Sequence, residues 1–192
     1  MMTRFKYTLS MSNSNKEYRA DNQQERLIGW ITGFVDGEGC FSLGFVKQGN
    51  REEKDRTRKG YKTGYQVFHE FSVTQGASSI DSLKVLEKYF GVGKLYQNKR
   101  YDNHKEHLYR YVVRKRDDIM NVIIPFFQKN LLRTSKINDF QFFVEGMDLV
   151  NAKKHLSIDG MITIAKITEK MNHKKSKKDL ISILRDQTSD SS

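Results

Sequence analysis

The sequence predicts an α+β fold, and three observations carry that prediction. Apolar residues recur with helical spacing up to Gly39 and switch to strict alternation after it. Two pairs of alternating segments, 41–46 with 65–75 and 93–99 with 108–114, read as hairpins rather than as single strands separated by helices. The resulting order is helix, two strands, helix, two strands, then helices, which is an α+β plan and not a parallel α/β one.

Order is expected to begin near 22–26, so residues 1–23 read as a mobile basic leader, 24–172 as one domain and 173–192 as a basic, serine-rich tail. From Leu27 to Val35 apolar residues dominate, with Gly29, Gly33 and Gly37 on one helical stripe. Each glycine costs a helix about 1 kcal/mol relative to alanine, so the stripe needs a reason, and close approach of a second helix is one. Phe41, Leu43 and Phe45 then alternate with Ser42, Gly44 and Val46 as the first strand. A hydrophilic stretch from Lys47 to Gly64 carries Arg51, Lys54, Arg56, Arg58, Lys59 and Lys62, the basic tip of a long hairpin. Its return strand, 65–75, sets Val67, His69, Phe71 and Val73 on one face and Gln66, Phe68, Glu70 and Ser72 on the other.

Ser78 or Ser79 can cap a helix with the stripe Ile80, Leu83, Leu86 and Phe90, closed by Gly91. A second strand pair follows, with a polar turn around Asp102–Asn103; Tyr109 and Tyr111 alternate with Arg110 and Val112, so either face of that strand could be buried. Asp117 or Asp118 caps a helix through Ile119, Val122, Ile123 and Phe126, which Pro125 should kink or end. Thr134 or Ser135 starts another, with Ile137, Phe140, Val144 and Met147 inward, and a last helix runs around 158–171.

With 192 residues the chain suits one domain with a real core. Its formal net charge of +11 points to a polyanion, since cationic side chains gain affinity by displacing counterions from nucleic acid. A ribosomal or membrane-surface protein shares that composition, but no apolar run is long enough to span a bilayer. Cys40 is the only cysteine, which excludes an intramolecular disulfide and a cysteine-rich zinc site and fits a reducing, intracellular compartment. His104 and His107 have metal-like spacing without further ligands to complete a site.

The most informative stretch is Leu27-Ile-Gly-Trp-Ile-Thr-Gly-Phe-Val-Asp-Gly-Glu-Gly39, an apolar helix running into two carboxylates. Acidic groups are unfavourable at the negative end of a helix dipole, and a bound divalent cation would remove the conflict. Taken alone, the acid–glycine pattern favours an ordinary Asp-Gly turn into a strand. The whole segment, however, resembles the signature helix of LAGLIDADG homing endonucleases, which residues 29–41 follow nearly position by position. Thr32 departs from it, standing where alanine is common. The resemblance extends to Phe71-Ser-Val-Thr-Gln75, to Phe90-Gly-Val-Gly93, and to Leu132-Arg-Thr-Ser-Lys136 followed by Asn138-Asp-Phe140.

That resemblance implies an αββαββα unit with extra C-terminal helices and an antiparallel sheet curved into a saddle. It implies that Glu38 and the Gly37 carbonyl hold Mg²⁺ (with Mn²⁺ able to substitute, and Ca²⁺ supporting binding without efficient cleavage), that Asp36 is more structural, and that Gln75 orders catalytic water. Either Arg133 or Lys136 supplies the pocket cation. One copy of the motif implies a homodimer through Gly29, Trp30, Gly33 and Phe34, acting on double-stranded DNA with a roughly two-fold-symmetric site. Base contacts would come from Cys40, Ser42, Gly44, Val46, Gln66, Phe68, Glu70 and Ser72, with Tyr96, Asn98, Arg110 and Arg114 from the second pair. Lys47 and the loop cations Arg51, Arg56, Arg58, Lys59 and Lys62 would grip outer DNA. Family members are generally encoded in introns or inteins, often in organelles. An intron-RNA-binding maturase and a non-cleaving DNA-binding regulator are the alternatives on the same scaffold.

Overall fold

A computed structural model describes residues 13–49, 51–53, 56–58, 60–61, 63–99, 106–171 and 176–189. The long helix α1, Asn13–Glu38, feeds β1, Gly39–Lys47, without a loop. Two short strands, β2 (Arg51–Glu53) and β3 (Arg56–Arg58), pair with each other, and β4, Tyr65–Gly76, returns along β1. A 3-10 turn leads into α2, Ile80–Phe90, then β5, Lys94–Asn98, and β6, Leu108–Val113. Helical chain follows as α3 (Arg116–Asp118), a π-helical turn (Ile119–Ile123) and α4 (Ile124–Lys129). Helices α5 (Lys136–Asn151), α6 (Ile158–Lys170) and α7 (Lys178–Ser189) complete the order.

The four long strands form one antiparallel sheet in the order β1-β4-β6-β5. Phe41 pairs with Phe71 and Phe71 with Val113, so these side chains share a face. That face carries the core: Phe41, Phe71, Val73, Tyr111 and Val113 are buried against Leu83 and Leu86 of α2, Phe127 of α4, and Phe140 and Phe143 of α5. Val67 anchors a second cluster with Val150, Met161, Ile164 and Leu184, which seats α6 and α7. At roughly 25 cal/mol per Å² of apolar area removed from water, the aromatic centre holds the helices to one side of the sheet and leaves the other side open.

Several local expectations are corrected. Helix α1 begins at Asn13, well before the expected start, while residues 1–12 lie outside the described residues. Helix α7 occupies most of the stretch read as a tail. Pro125 does not end its helix. The wider π turn just before it relieves the missing N–H and the ring clash, and the helix continues to Lys129. Ser79 stands at the cap position of α2 and Lys115 at that of α3, neither through a side-chain hydrogen bond. Gly91 does close α2, at φ 65°, a conformation in which a side chain would be strained. The face of β6 is now settled. Tyr111 is fully buried, its hydroxyl donating to the Val92 carbonyl at 2.6 Å, and burial pushes its ionisation well above the ordinary value.

Candidate functional site

The end of α1 gathers three sequence segments. Asp36 points inward and is buried. It accepts from the Arg133 N–H at 2.8 Å, the Thr134 N–H at 3.1 Å and the Thr134 hydroxyl at 2.7 Å. Burial pushes its carboxyl up, but the Thr134 hydroxyl, the two amides and the Lys136 charge outweigh this and hold it below the usual aspartate range. Asp36 therefore ties the segment before α5 to the end of α1. Two residues on, Glu38 is exposed.

Lys136 reaches the same helix end. Its Nζ donates to the Val35 and Gly37 carbonyls, each at 3.1 Å, and to the Gly39 carbonyl. Three ammonium protons thus meet three carbonyls at the negative end of the helix dipole. Burial holds Lys136 below the usual lysine range, partly offset by Cys40, Asp36, Glu38 and Asp139. Arg133 is exposed and lines a groove of about 520 Å³ with Gly29, Thr32, Gly33, Asp36 and Leu131. Of the two candidate cations, the structure brings Lys136 to the α1 terminus and leaves Arg133 beside the glycine stripe. Gln75 shares the register of Val73, which pairs with Gly39, so it lies at the same end of the sheet as Glu38.

These donors suit a hard cation only in part. Glu38 and the Gly37 carbonyl are oxygen ligands of the type Mg²⁺ takes, and Gly37, already accepting from Lys136, keeps one lone pair. Asp36 is committed to Thr134 and Arg133, and among the described residues no three His, Cys, Asp or Glu side chains come together as a metal site. One chain offers half of a coordination shell.

The stripe of Gly29, Gly33 and Gly37 faces open space, since a methyl group added at any of them would meet nothing within 4 Å. Trp30 is 41% exposed and stacks on Phe34 with centroids 5.0 Å apart, so it does not pack in the core.

On the open side of the sheet, register brings most expected contact residues together. Cys40 pairs with Ser72, Ser42 with Glu70, Gly44 with Phe68 and Val46 with Gln66; across β6, Arg110 pairs with Thr74 and with Tyr96, and Asn98 with Leu108. Lys47 belongs elsewhere: it follows the register of Phe45 and projects, exposed, from the strand end on the helix side. Glu70 and Ser72 are not open to a ligand as expected, being only 2% and 3% exposed. The reason is electrostatic. A buried carboxylate must be paired, and Glu70 accepts from Arg110 Nη2 at 2.5 Å and from Arg114 Nε at 2.7 Å, while Arg110 also donates to Ser72 Oγ at 3.1 Å. Arg114 lies over the rings of Phe68 and Tyr96, about 6 Å from each centroid. The two Glu70 pairs of this clamp join residues 40 and 44 apart in sequence and left no local signal. Lys59 and Lys62, the side chains of Arg51, Arg56 and Arg58, and the turn with Asp102, Asn103 and His104 lie outside the described residues.

A four-stranded antiparallel sheet with its helices on one side, and a glycine-striped helix ending in two acids, define the class of fold. Residues 31–147 match the family model of the LAGLIDADG endonucleases, and the chain belongs to that family. It is 32% identical over 138 residues to the "Probable intron-encoded endonuclease 2" of Neurospora crassa, covering 72% of this chain and 26% of that protein. It is 35% identical over 130 residues to the "Probable intron-encoded DNA endonuclease 1" of Mycosarcoma maydis, covering 67% of this chain and 40% of that one. The chain thus spans well under half of either relative's length. Among solved structures, the homing endonuclease I-TnaI superposes with a TM-score of 0.66 at 32% identity, covering 83% of this chain and 96% of that one. The I-LtrWI LAGLIDADG homing endonuclease bound to target DNA gives 0.69 at 30% identity, covering 81% of this chain and 48% of that one. Among the described residues no helix is long and apolar enough to cross a membrane.

Proposed function

We propose that this protein is a homodimeric, site-specific endonuclease that hydrolyses one phosphodiester in each strand of a long, pseudo-palindromic duplex. The observation that carries the reading is the contrast at the end of α1: Asp36 is consumed by the scaffold while Glu38 projects beside an open glycine stripe. Two such helices packed backbone to backbone would bring two Glu38 carboxylates together and complete the half shell. The intron-encoded names of the relatives, and one more relative from Podospora anserina described as a protein in an intron of ND4, support encoding within an intron. The I-LtrWI chain, about half of which this chain matches, leaves room for a second copy.

Mg²⁺ bound there would polarise the phosphate and stabilise the leaving 3′ oxygen. Glu38, with the Gly37 carbonyl, would hold that ion beside the reacting phosphate. Gln75 holds the nucleophilic water through its amide. Lys136, anchored on the α1 carbonyls, supplies fixed positive charge toward that phosphate, and Arg133 flanks it from the groove. The open sheet face lies along the major groove, where each base pair presents a distinct donor and acceptor pattern. The test is cleavage of a randomised double-stranded DNA library with Mg²⁺ by wild type and by Glu38→Gln. One enriched, two-fold-related site cut only by wild type, with Glu38→Gln still binding it, is expected. Wild-type cleavage rates in Glu38→Gln would overturn the assignment, and binding without cleavage by both would leave a DNA-binding regulator.

A further inference from the structure

A cavity of about 250 Å³ lies at the other end of the sheet, between the start of β4, the exit of β6 and the end of α5. Among the described residues three buried side-chain nitrogen or oxygen atoms lack a hydrogen-bond partner: His69 Nδ1, Arg116 Nε and His155 Nδ1. All three belong to residues that line this one cavity. An unsatisfied buried polar group costs about 1–3 kcal/mol, so their convergence marks this cavity as a place suited to an external hydrogen-bonding partner.

The chemistry of the three atoms selects that partner. Arg116 is cationic, and both imidazoles become so on protonation. Burial, and then the Arg116 charge and each other's proximity, hold His69 below the usual histidine range; for His155 burial is the larger cause and Arg116 adds to it. Local counter-charge is weak. The Asp117 carboxylate lies 3.9 Å from Arg116 Nε, and its side chain is 64% exposed. Lys115, also at the cavity, is paired with Asp118 at 3.3 Å. Tyr61 and Tyr65 also line it.

We propose that this cavity binds a phosphate group, whose oxygens accept from Arg116 Nε–H and from the Nδ1–H groups of protonated His69 and His155. The site is separate from the cleavage centre, because His69 and Gln75 are six residues apart on β4, roughly 20 Å at strand spacing. Two sources present this chemistry: a free phosphate anion, and a backbone phosphate of duplex DNA passing the sheet end. Binding takes up a proton from solvent at each imidazole not already charged. Affinity therefore rises as pH falls, by up to about tenfold per pH unit for each proton taken up.

The test follows the histidine side-chain resonances of the wild-type chain during titration with sodium phosphate and with sodium chloride at equal ionic strength, at about pH 6 and about pH 8. Phosphate, unlike chloride, is expected to shift His69 and His155 together, at least fivefold more tightly at the lower pH. Arg116→Gln is expected to weaken that binding about tenfold. A second arm adds duplex DNA in phosphate-free buffer. Movement of the same resonances, reversed by added phosphate, assigns the site to the DNA backbone; unmoved resonances beside a positive phosphate arm assign it to a free anion. No phosphate-specific shift at either pH overturns the proposal, and that arm stands whether or not the chain cleaves DNA.

Discussion

Asp36 sits on the inner side of α1 with the Arg133 and Thr134 amides and the Thr134 hydroxyl converging on it, while Glu38, two residues further, is exposed. The acid-glycine-acid pattern was visible in the sequence, and so was the family role in which the first acid is structural. Its partners were not, because they lie 97 and 98 positions away. The same separation explains why Arg133 and Lys136 could not be distinguished beforehand: only folding shows that one reaches the α1 carbonyls and the other the groove. Asp36→Asn tests the tie. Hydrogen bonds to a charged group contribute about 1.5–3 kcal/mol, so a loss of about 2 kcal/mol is expected at neutral pH by chemical denaturation. The Asp36 carboxyl is held below its ordinary value near 3.8 in the folded chain. Its contribution is therefore complete above that value and is lost as pH falls through the lower folded one. The gap between wild type and Asp36→Asn should close in the acid range below about pH 4; an unchanged gap there would remove ionisation from the account.

At the scale of elements, strand parity decided most of the open face in advance. Alternation of Phe41, Leu43 and Phe45 placed Cys40, Ser42, Gly44 and Val46 opposite them, and the pairing register agrees. What parity cannot give is depth. Glu70 is on the expected side yet buried, since Arg110 and Arg114 of the β6 segment close over it. Donor counting then separates the two arginines. Arg110 Nη2 is shared by Glu70 and Ser72, whereas Arg114 uses Nε and keeps both terminal nitrogens, the fork that pairs with the O6 and N7 of guanine. Glu70→Gln should cost about 2 kcal/mol in stability, because it weakens two charge-assisted hydrogen bonds to a buried carboxylate while leaving one amide oxygen to accept. Its larger effect should appear in target profiles as weakened guanine preference at one base pair in each half-site, with the cleavage rate on the preferred site less affected. A profile identical to wild type would show that the clamp is structural only. A second element-level prediction concerns Gly160 in the first turn of α6. A methyl group there would fall 1.9 Å from the Lys154 carbonyl oxygen, so Gly160→Ala should lower stability by about 2 kcal/mol, measured by urea unfolding.

For the whole molecule, the decisive feature is a surface that intrachain packing does not explain. Three glycines on one stripe weaken α1, yet none is required by a neighbour in the chain, by a turn or by a positive φ. Beside them Trp30 stays largely exposed, Leu131 is exposed, and a groove of about 520 Å³ runs along the stripe. Sequence alone showed the stripe, and the family motif suggested its use; the emptiness of the groove is visible only once the core is seen to lie on the other side of α1, at Ile31 and Val35. Filling the groove separates assembly from folding. Gly33→Leu adds a side chain where nothing in the chain stands within 4 Å and removes a helix glycine, so the single chain should fold with a stability equal to wild type or higher by up to about 1 kcal/mol. If the proposed dimer forms through α1, two such helices could no longer approach backbone to backbone, and sedimentation should report a monomer for Gly33→Leu and a dimer for wild type. Cleavage should fall with dimerisation while single-chain contacts persist as weak, salt-sensitive DNA binding. A Gly33→Leu protein that still dimerised and cut at wild-type rate would place the two-fold contact away from α1 and leave the glycine stripe without an assembly role.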